Sequence, residues 1–426
     1  MIPGSTVIFR NNITDNYIAH FAPVFPGQSV QYANNIVKGM LLFGSGSINA
    51  ISSVCTEKVD QSTINRFIND TRWDPEELNE KRLEQLQFNL QTRSVMDGIL
   101  IIDDSIIEKT GKKMEGASYH FSNSKKKSVN GHDMVSSHYL DEKKDYPLHY
   151  KLYRRKKELD ENDELDKFKT KIDFAIELIE NAINSNIRFE VAVYDSWFFC
   201  KRLCEYLEIL EKDWISRAKV NRIINLPTGK INFKKFIENL SDEQFTRMPK
   251  PLKLKDENTD KEIEYQFIHE AVLDISDMGL IKCIMIKKDL KDDTGIVLVS
   301  NRIDWEADKI IKIYKKRWKI ETFYRDSKQN LGLGKYQLRS IKGIERYWTL
   351  VFISYTFLQY CTLFGILSSN IEDTTATTGD KVRRFQELYL KSFIDLIISC
   401  YKSNGNVKDV YRLILRGKYK RSRKNS

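Results

Sequence analysis

The sequence has few cysteines, and none stands in a metal-binding or disulfide-framework pattern. The six are Cys55, Cys200, Cys204, Cys283, Cys361 and Cys400. None forms a C-x-x-C pair, and Cys200 and Cys204 have no His or Cys pair at zinc spacing beside them. This excludes a structural zinc site and a disulfide-stapled scaffold, and reduced thiols in a cytoplasmic protein are expected. MIPGSTVIFRNN has no basic region followed by an apolar core, so no secretory leader is expected. His120, His132, His138 and His149 lack ligand-helix spacing, which argues against a histidine metal cluster. The stretch EKTGKKMEG lacks the spacing of a glycine-rich phosphate loop, which excludes an ATP site of that kind. No internal repeat is present.

What is there is length and positive charge. At 426 residues the chain can hold two or more domains. Hydrophobic residues make up 41% and charged residues 30%, a soluble, globular composition. The formal charge of +10 favours a polyanionic partner, nucleic acid first and an anionic membrane second. One uncharged run, WTLVFISYTFLQYCTLFGIL from Trp348 to Leu367, is long enough to span a bilayer. It also carries Ser, Thr, Gln, Cys and two Tyr, and its surroundings are amphipathic and charged. A buried core helix is therefore expected there, with no membrane partner.

Along the chain, residues 1–95 read as a helical region. QSTINRFINDT follows Asp60 as an N-cap, and WDPEELNEKRLEQLQFNLQ begins with Asp74 as cap and Pro75 at the first helical position. Helix, turn and helix with Ser62, Asn65, Arg66 and Asn69 on polar positions suggests a DNA-binding helix-turn-helix; a plain small helical bundle has the same pattern. Residues 96–220 change period. DGILIIDDSIIEK holds a short apolar strand expected to stop at Asp103 and Asp104. KKKSVNGHDMVSSHYL and YPLHYKLYRR read as two more strands, the latter opened by Pro147. ELDKFKTKIDFAIELIENAI is an amphipathic helix, IRFEVAVYDSWF a strand ending at Asp195, FFCKRLCEYLEIL a helix, and WISRAKV a strand. This order is a mixed α/β sheet with flanking helices. If the first and fourth strands are parallel neighbours, Asp103 and Asp195 meet at one carboxyl edge, where such sheets place their sites. Residues 221–288 read as a β-rich insertion, with KINFKKF as a strand and MPKPLKLKDENTD as a loop-rich connection. Residues 289–370 return with the strand TGIVLVSNR and a long helix capped by Asp304. Residues 371–426 end in the basic tail RGKYKRSRKNS, read as a solvated arm.

The long helix contains YKKRWKIETFYRDSK, Tyr314 to Lys328, with six basic residues, four aromatics and only two acids. Tyr314, Arg317, Glu321 and Lys328 are spaced three, four and seven apart and share one stripe. Ile313, Ile320, Tyr324 and Leu331 form an adjacent apolar stripe that can pack on the sheet. The polar stripe thus borders the core, an odd place for a plain surface ion pair. Two acids at strand ends and one on a helix are what a site for two divalent cations needs. Hard carboxylate oxygens suit Mg²⁺ or Mn²⁺, and paired ions can drive in-line attack on phosphorus. The nearby cations can hold the phosphates beside the reacting one. Trp197 and Trp318 flank this site. Each can stack on an exposed base, but packing against the sheet is the expectation.

The run Tyr314, Arg317, Glu321, Lys328 matches Y-x(2)-R-x(3)-E-x(6)-K without a departure. In this it resembles the DDE transposases of prokaryotic insertion sequences, in the insertion-sequence-four group and its close relatives. IIDDS is similar to that family's first catalytic motif, Asp-x-Thr, with Ser105 for Thr, and VAVYDSWF to its second. The β-rich insertion and the WDP segment are similar too, so the resemblance covers roughly residues 45 to 365. It implies a ribonuclease-H-like catalytic fold that cuts and joins DNA. Asp103, Asp195 and Glu321 become a metal-binding catalytic triad for two Mg²⁺ or Mn²⁺ ions, and Tyr314, Arg317 and Lys328 become contacts to DNA. The implied partners are terminal inverted repeats and target DNA, bound as a homodimer, in the cytoplasm on the nucleoid. Two alternatives stand beside this: a nuclease of the same fold without strand transfer, and a DNA-binding derivative that no longer cuts. The Asp-x-Ser register selects Asp103 over Asp104. In an end-cleavage assay, Asp103→Asn is expected to be inert and Asp104→Asn at least partly active; the reverse order would show the register to be wrong.

Overall fold

Asp103 stands within a strand and not at its end. In the computed structural model, β1 (Ile99–Glu108) runs on for five residues past it. The structure describes residues 8–9, 12–44, 47–55, 59–111, 113–122, 125–255, 262–291, 295–367, 376–404 and 406–408. The basic tail lies outside them. The strand expected to stop at Asp103 continues because β3 (Lys127–Leu140) pairs with it throughout, from Ile99↔Leu140 past Asp103↔Ser136 to Glu108↔Gly131. What does stop is the pairing on the other edge. There β5 (Val191–Tyr194) runs parallel to β1 only as far as Ile102↔Tyr194.

The remaining strands are β2 (Ser118–Ser122), β4 (Asp145–Tyr153), β6 (Asp213–Ala218), β7 (Ile223–Leu226), β8 (Gly229–Asn232), β9 (Thr246–Lys255), β10 (Glu262–Ile275), β11 (Gly279–Lys287) and β12 (Gly295–Ser300). All belong to one sheet of order β2-β3-β1-β5-β6-β12-β11-β10-β7-β8, with β4 on β3 and β9 on β10. β1, β5 and β6 are parallel; β3 is antiparallel to β1, and β4 is antiparallel to β3 and so runs with β1. The series β4-β3-β1-β5-β6 is a ribonuclease-H-like half-sheet. The β-rich stretch extends the same sheet through β12 and β11.

Described helices are α1 (Asn12–Ala19), α2 (Val30–Phe43), α3 (Ile48–Val54), α4 (Gln61–Asn69), α5 (Pro75–Phe88), α6 (Lys156–Glu161), α7 (Lys171–Asn184), α8 (Lys201–Ile209), α9 (Phe233–Glu238), α10 (Ala307–Lys315), α11 (Trp318–Asp326), α12 (Ile341–Leu363) and α13 (Thr378–Asn404). Two caps read from the sequence are in place: Asp60 accepts from Ser62 N at 2.8 Å and Asp74 from Glu76 N at 2.7 Å. Other expectations are corrected. α7 begins only at Lys171, because Thr170 and Asp173 close a reciprocal capping box there. KINFKKF is a strand only to Asn232, whose side chain accepts from Lys235 N and starts α9. The stretch expected as a loop belongs to β9 as far as Lys255, and residues 256–260 lie outside the described ones. Its Pro249 and Pro251 lie opposite the bulge between Tyr265 and Phe267, where no ladder pair needs their missing N–H groups. Asp304 caps nothing; Arg302 holds its carboxylate.

The helix expected over the signature is broken. Between α10 and α11 the backbone tightens to i→i+3 bonds, Lys316 N to Ile313 O and Arg317 N to Tyr314 O. After α11, Ser327–Leu331 form a widened π turn. Gly44, at φ +59°, ends α2 directly beneath that turn. A Cβ on it would lie 3.1 Å from the Asn330 carbonyl.

Sheet alternation sends the β1 side chains to two cores. Ile99 and Ile101 join the α2, α4 and α10–α12 side; Leu100 and Ile102 join the α5, α7 and α8 side. The uncharged run forms most of α12 and is buried there as expected of a core helix, but the helix ends at Leu363, and Phe364 and Ile366 beyond it are exposed. Among the described residues no helix is long and apolar enough to cross a membrane. Fully buried Arg346 on α12 donates to the carbonyls of Ile68, Thr71 and Trp73, tying the turn after α4 to α12. Arg346→Leu orphans three carbonyls and is expected to cost about 2–4 kcal/mol, read as a lowered urea midpoint at unchanged slope.

Candidate active site

β1 and β5 end their pairing in register at Ile102 and Tyr194, so the next residue of each is an aspartate. Ile101 and Val193 face the α10–α12 core, and Asp103 and Asp195 follow two residues on, toward that side. The Asp195 backbone is fixed by Ser216 Oγ of β6, which donates to its carbonyl at 3.0 Å. Its Oδ1 accepts from the amides of Trp197 (2.9 Å) and Phe198 (3.3 Å). Asp103 is 8% exposed, and its Oδ1 accepts from Asp104 N at 2.9 Å.

Arg317 joins the acids. It lies at the tightened turn before α11, and Nη1 donates to Asp103 Oδ2 at 2.7 Å. Nη2 donates to Glu321, one helical turn on. α11 is docked by Tyr324, whose hydroxyl donates to the Asp103 carbonyl at 2.9 Å and meets Ser136 Oγ at 2.7 Å. Tyr314 is buried, its ring centre 5.9 Å from the guanidinium carbon. The π turn brings Lys328 onto β1, where Nζ donates to Ser105 Oγ (2.8 Å) and Ile106 O (2.9 Å).

The charges explain one another. Burial pushes the Asp103 carboxyl well above the usual range; Arg317 pulls it back, while Asp195, Asp104 and Glu321 push it further up. Asp195 is raised by burial, with Arg317 opposing and Asp104 adding. Burial alone lowers the Arg317 pKa, but Tyr314, Asp103, Glu321 and Asp195 outweigh it and hold it well above normal. Burial lowers Lys328 to about 8.

Asp104 points to the other side of the sheet. Lys171, the first residue of α7, bridges it (2.9 Å) to buried Asp133 of β3 (2.6 Å). Nothing in the local sequence marks Lys171; only the fold brings it 67 residues back to Asp104. Trp197 does not pack on the sheet as expected. It is 47% exposed, edge-on to Phe198 at 5.1 Å, with the Lys171 ammonium 5.4 Å from its ring. Its loop rims a cleft of about 450 Å³ that Lys219 and Arg222 also line. The histidines serve structural roles: His132 bonds Tyr336 and Glu115, His138 bonds Asp145, His149 bonds Ser185, and His120 bonds Ser118.

The donor set fits a divalent ion, being hard carboxylate oxygens that are desolvated and mutually repelling. Among the described residues no three His, Cys, Asp or Glu side chains already converge on one metal-sized point. Here the Arg317 guanidinium stands between two of them.

A ribonuclease-H-like sheet that sets two acids just past the shared end of a parallel ladder suits an enzyme that cuts nucleic acid. Comparison with known proteins makes this specific. The family description "DDE superfamily endonuclease" matches residues 20–228, a span holding Asp103 and Asp195. A probable transposase for insertion sequence element IS701 from Microchaete diplosiphon is 24% identical over 292 residues, 67% of this chain and 71% of its own. Both matches support a DDE transposase of an insertion sequence. A piggyBac transposase, solved as a synaptic complex with hairpin DNA, aligns over 89% of this chain and 78% of its own, at 11% identity and TM-score 0.47. Nucleases of the DDE superfamily generally use divalent metal ions.

Lys171 supplies a signed pH prediction. Burial, then repulsion from Asp104, raises the Asp133 pKa to about 7 against the pull of Lys171. The native state therefore holds this proton where an unfolded aspartate, at about 3.9, has lost it, and the contribution falls as pH rises from 4 to 7. Lys171→Met removes the cation and raises Asp133 further. A loss of about 3 kcal/mol is expected at pH 8, with much of it recovered at pH 5, measured by urea denaturation at both values.

Proposed function

We propose that this transposase binds the terminal inverted repeats of its insertion sequence, cleaves the DNA there and joins the freed ends to a target. Asp103, Asp195 and Glu321 are the ligands of two Mg²⁺ or Mn²⁺ ions. The observation that carries the reading is that Asp103 and Glu321 hold one guanidinium at the ribonuclease-H-like sheet, with Asp195 following the shared end of the β1–β5 ladder. Bound ions supply an activated water or 3′-hydroxyl and charge stabilisation for the leaving oxygen.

The chain's own residues hold the DNA in place for that chemistry. Arg317 receives a phosphate bidentately beside the scissile one. Tyr314 backs the guanidinium, and Lys328 takes a second phosphate by leaving Ser105 and Ile106. Trp197 offers an open ring to a base unpaired near the cut. On its polar face α4 presents Ser62, Asn65 and Arg66 exposed, which suits a helix-turn-helix reading of the inverted repeat. Two ends must be cut together, so the active assembly is a homodimer on DNA. The six free thiols suit a cytoplasmic protein working on the nucleoid.

The test is strand transfer in vitro. A pre-cleaved duplex end with a free 3′-hydroxyl is expected to give joined product with Mg²⁺. Glu321→Gln and Asp195→Asn should each lower the yield at least about a hundredfold. Hydrolysis without joined product would leave a nuclease of the same fold. Binding without either would leave a non-catalytic derivative.

A further inference from the structure

Arg317 does more here than wait for a phosphate. Its side chain is 14% exposed, and its two terminal nitrogens are committed to carboxylates that the proposed chemistry needs, Asp103 Oδ2 and Glu321 Oε1. A carboxylate oxygen that accepts from a guanidinium at 2.7 Å can take a magnesium ion at about 2.1 Å only against the repulsion of that neighbouring cation. Asp195 adds a weaker, longer-range attraction to the two ion pairs that hold the cation. The backbone at Arg317 is the tightened turn joining α10 to α11. A junction of two short helices can reorient a side chain more easily than the middle of one.

We propose that Arg317 is an internal competitor of the metal ions, which leaves the carboxylates for a DNA phosphate and so couples metal loading to DNA docking. This rests on the reading of Asp103, Asp195 and Glu321 as metal ligands. Without DNA, withdrawing the guanidinium would strand it in a desolvated place, so metal entry is opposed. A DNA phosphate offers the same planar, bidentate acceptor that the carboxylates give up. Once the guanidinium has moved, the acids lack a counter-charge and their affinity for divalent ions rises. By linkage, ions bound first must tighten DNA by the same factor. The DNA-free enzyme then carries little metal and cuts nothing before an end is in place.

The experiment is Mn²⁺ binding to the full chain without DNA, followed by electron paramagnetic resonance of free Mn²⁺. Wild type, Arg317→Gln, Arg317→Lys and the double variant Asp103→Asn/Arg317→Gln are compared, with near-ultraviolet circular dichroism to confirm folding. Arg317→Gln is expected to bind Mn²⁺ about tenfold more tightly than wild type. Arg317→Lys keeps the charge and should shift less, and the double variant should lose the gain. Equal or weaker binding by a folded Arg317→Gln overturns the competition but leaves the metal site standing. If no protein binds Mn²⁺, even with a pre-cleaved duplex end added, the metal reading fails and the coupling with it. If the glutamine variant is unfolded, Arg317→Lys decides: binding no tighter than wild type overturns the proposal.

Discussion

Three carboxylates in a partly desolvated place repel one another, and a fold that gathers them must supply positive charge. Arg317 does so, with one nitrogen on β1 and the other on Glu321 of its own helix. Much of the surrounding architecture serves that contact. The shared end of the β1–β5 ladder aligns Asp103 with Asp195. Tyr324 fixes α11 against the backbone of Asp103. The tightened turn and the π turn set Arg317 and Lys328 against residues two apart on β1, Asp103 and Ser105.

The tandem aspartates show how a sheet separates like charges. Adjacent residues on a strand face opposite sides, so Asp103 and Asp104 are sorted without any specific recognition. Each side then provides its own cation: Arg317 from the α10–α11 junction and Lys171 from the start of α7. Lys171 also serves Asp133, so one cation neutralises the pair of acids on that side. The helical start of the chain belongs to the same body. α12 is buried against α2, α4 and α5, and Arg346 closes the turn after α4. A DNA duplex held by α4 would therefore have a fixed orientation relative to the acids.

Much of this was legible in the residues. Caps at Asp60 and Asp74, the apolar strands before Asp103 and Asp195, and the buried helix through 348–361 all follow from near-neighbour patterns, and the structure has each of them. The misreadings have a common cause. β1 looked finished at Asp103 because polarity rose there, yet pairing with β3 holds a strand regardless of its own polarity. β9 looked like a loop because of two prolines that a bulge makes harmless. The signature looked like one straight helix because spacing cannot register a change from α to 3₁₀ or π geometry. Trp197 looked like packing material because residue type does not report exposure.

The sequence by itself determined which groups exist and their local periodicity: a spaced Tyr-Arg-Glu-Lys run, two aspartates after apolar strands, and a positive excess. Those are interactions of a residue with neighbours a few positions away, and composition is enough to encode them. Only the tertiary structure decided their partners. It placed Arg317 on an acid 214 residues away, and Lys328 on Ser105 of the same strand. It chose Lys171 from a segment with no motif to mark it. Such pairings depend on sheet order, register and the facing of each strand, and no local stretch of chain contains that information.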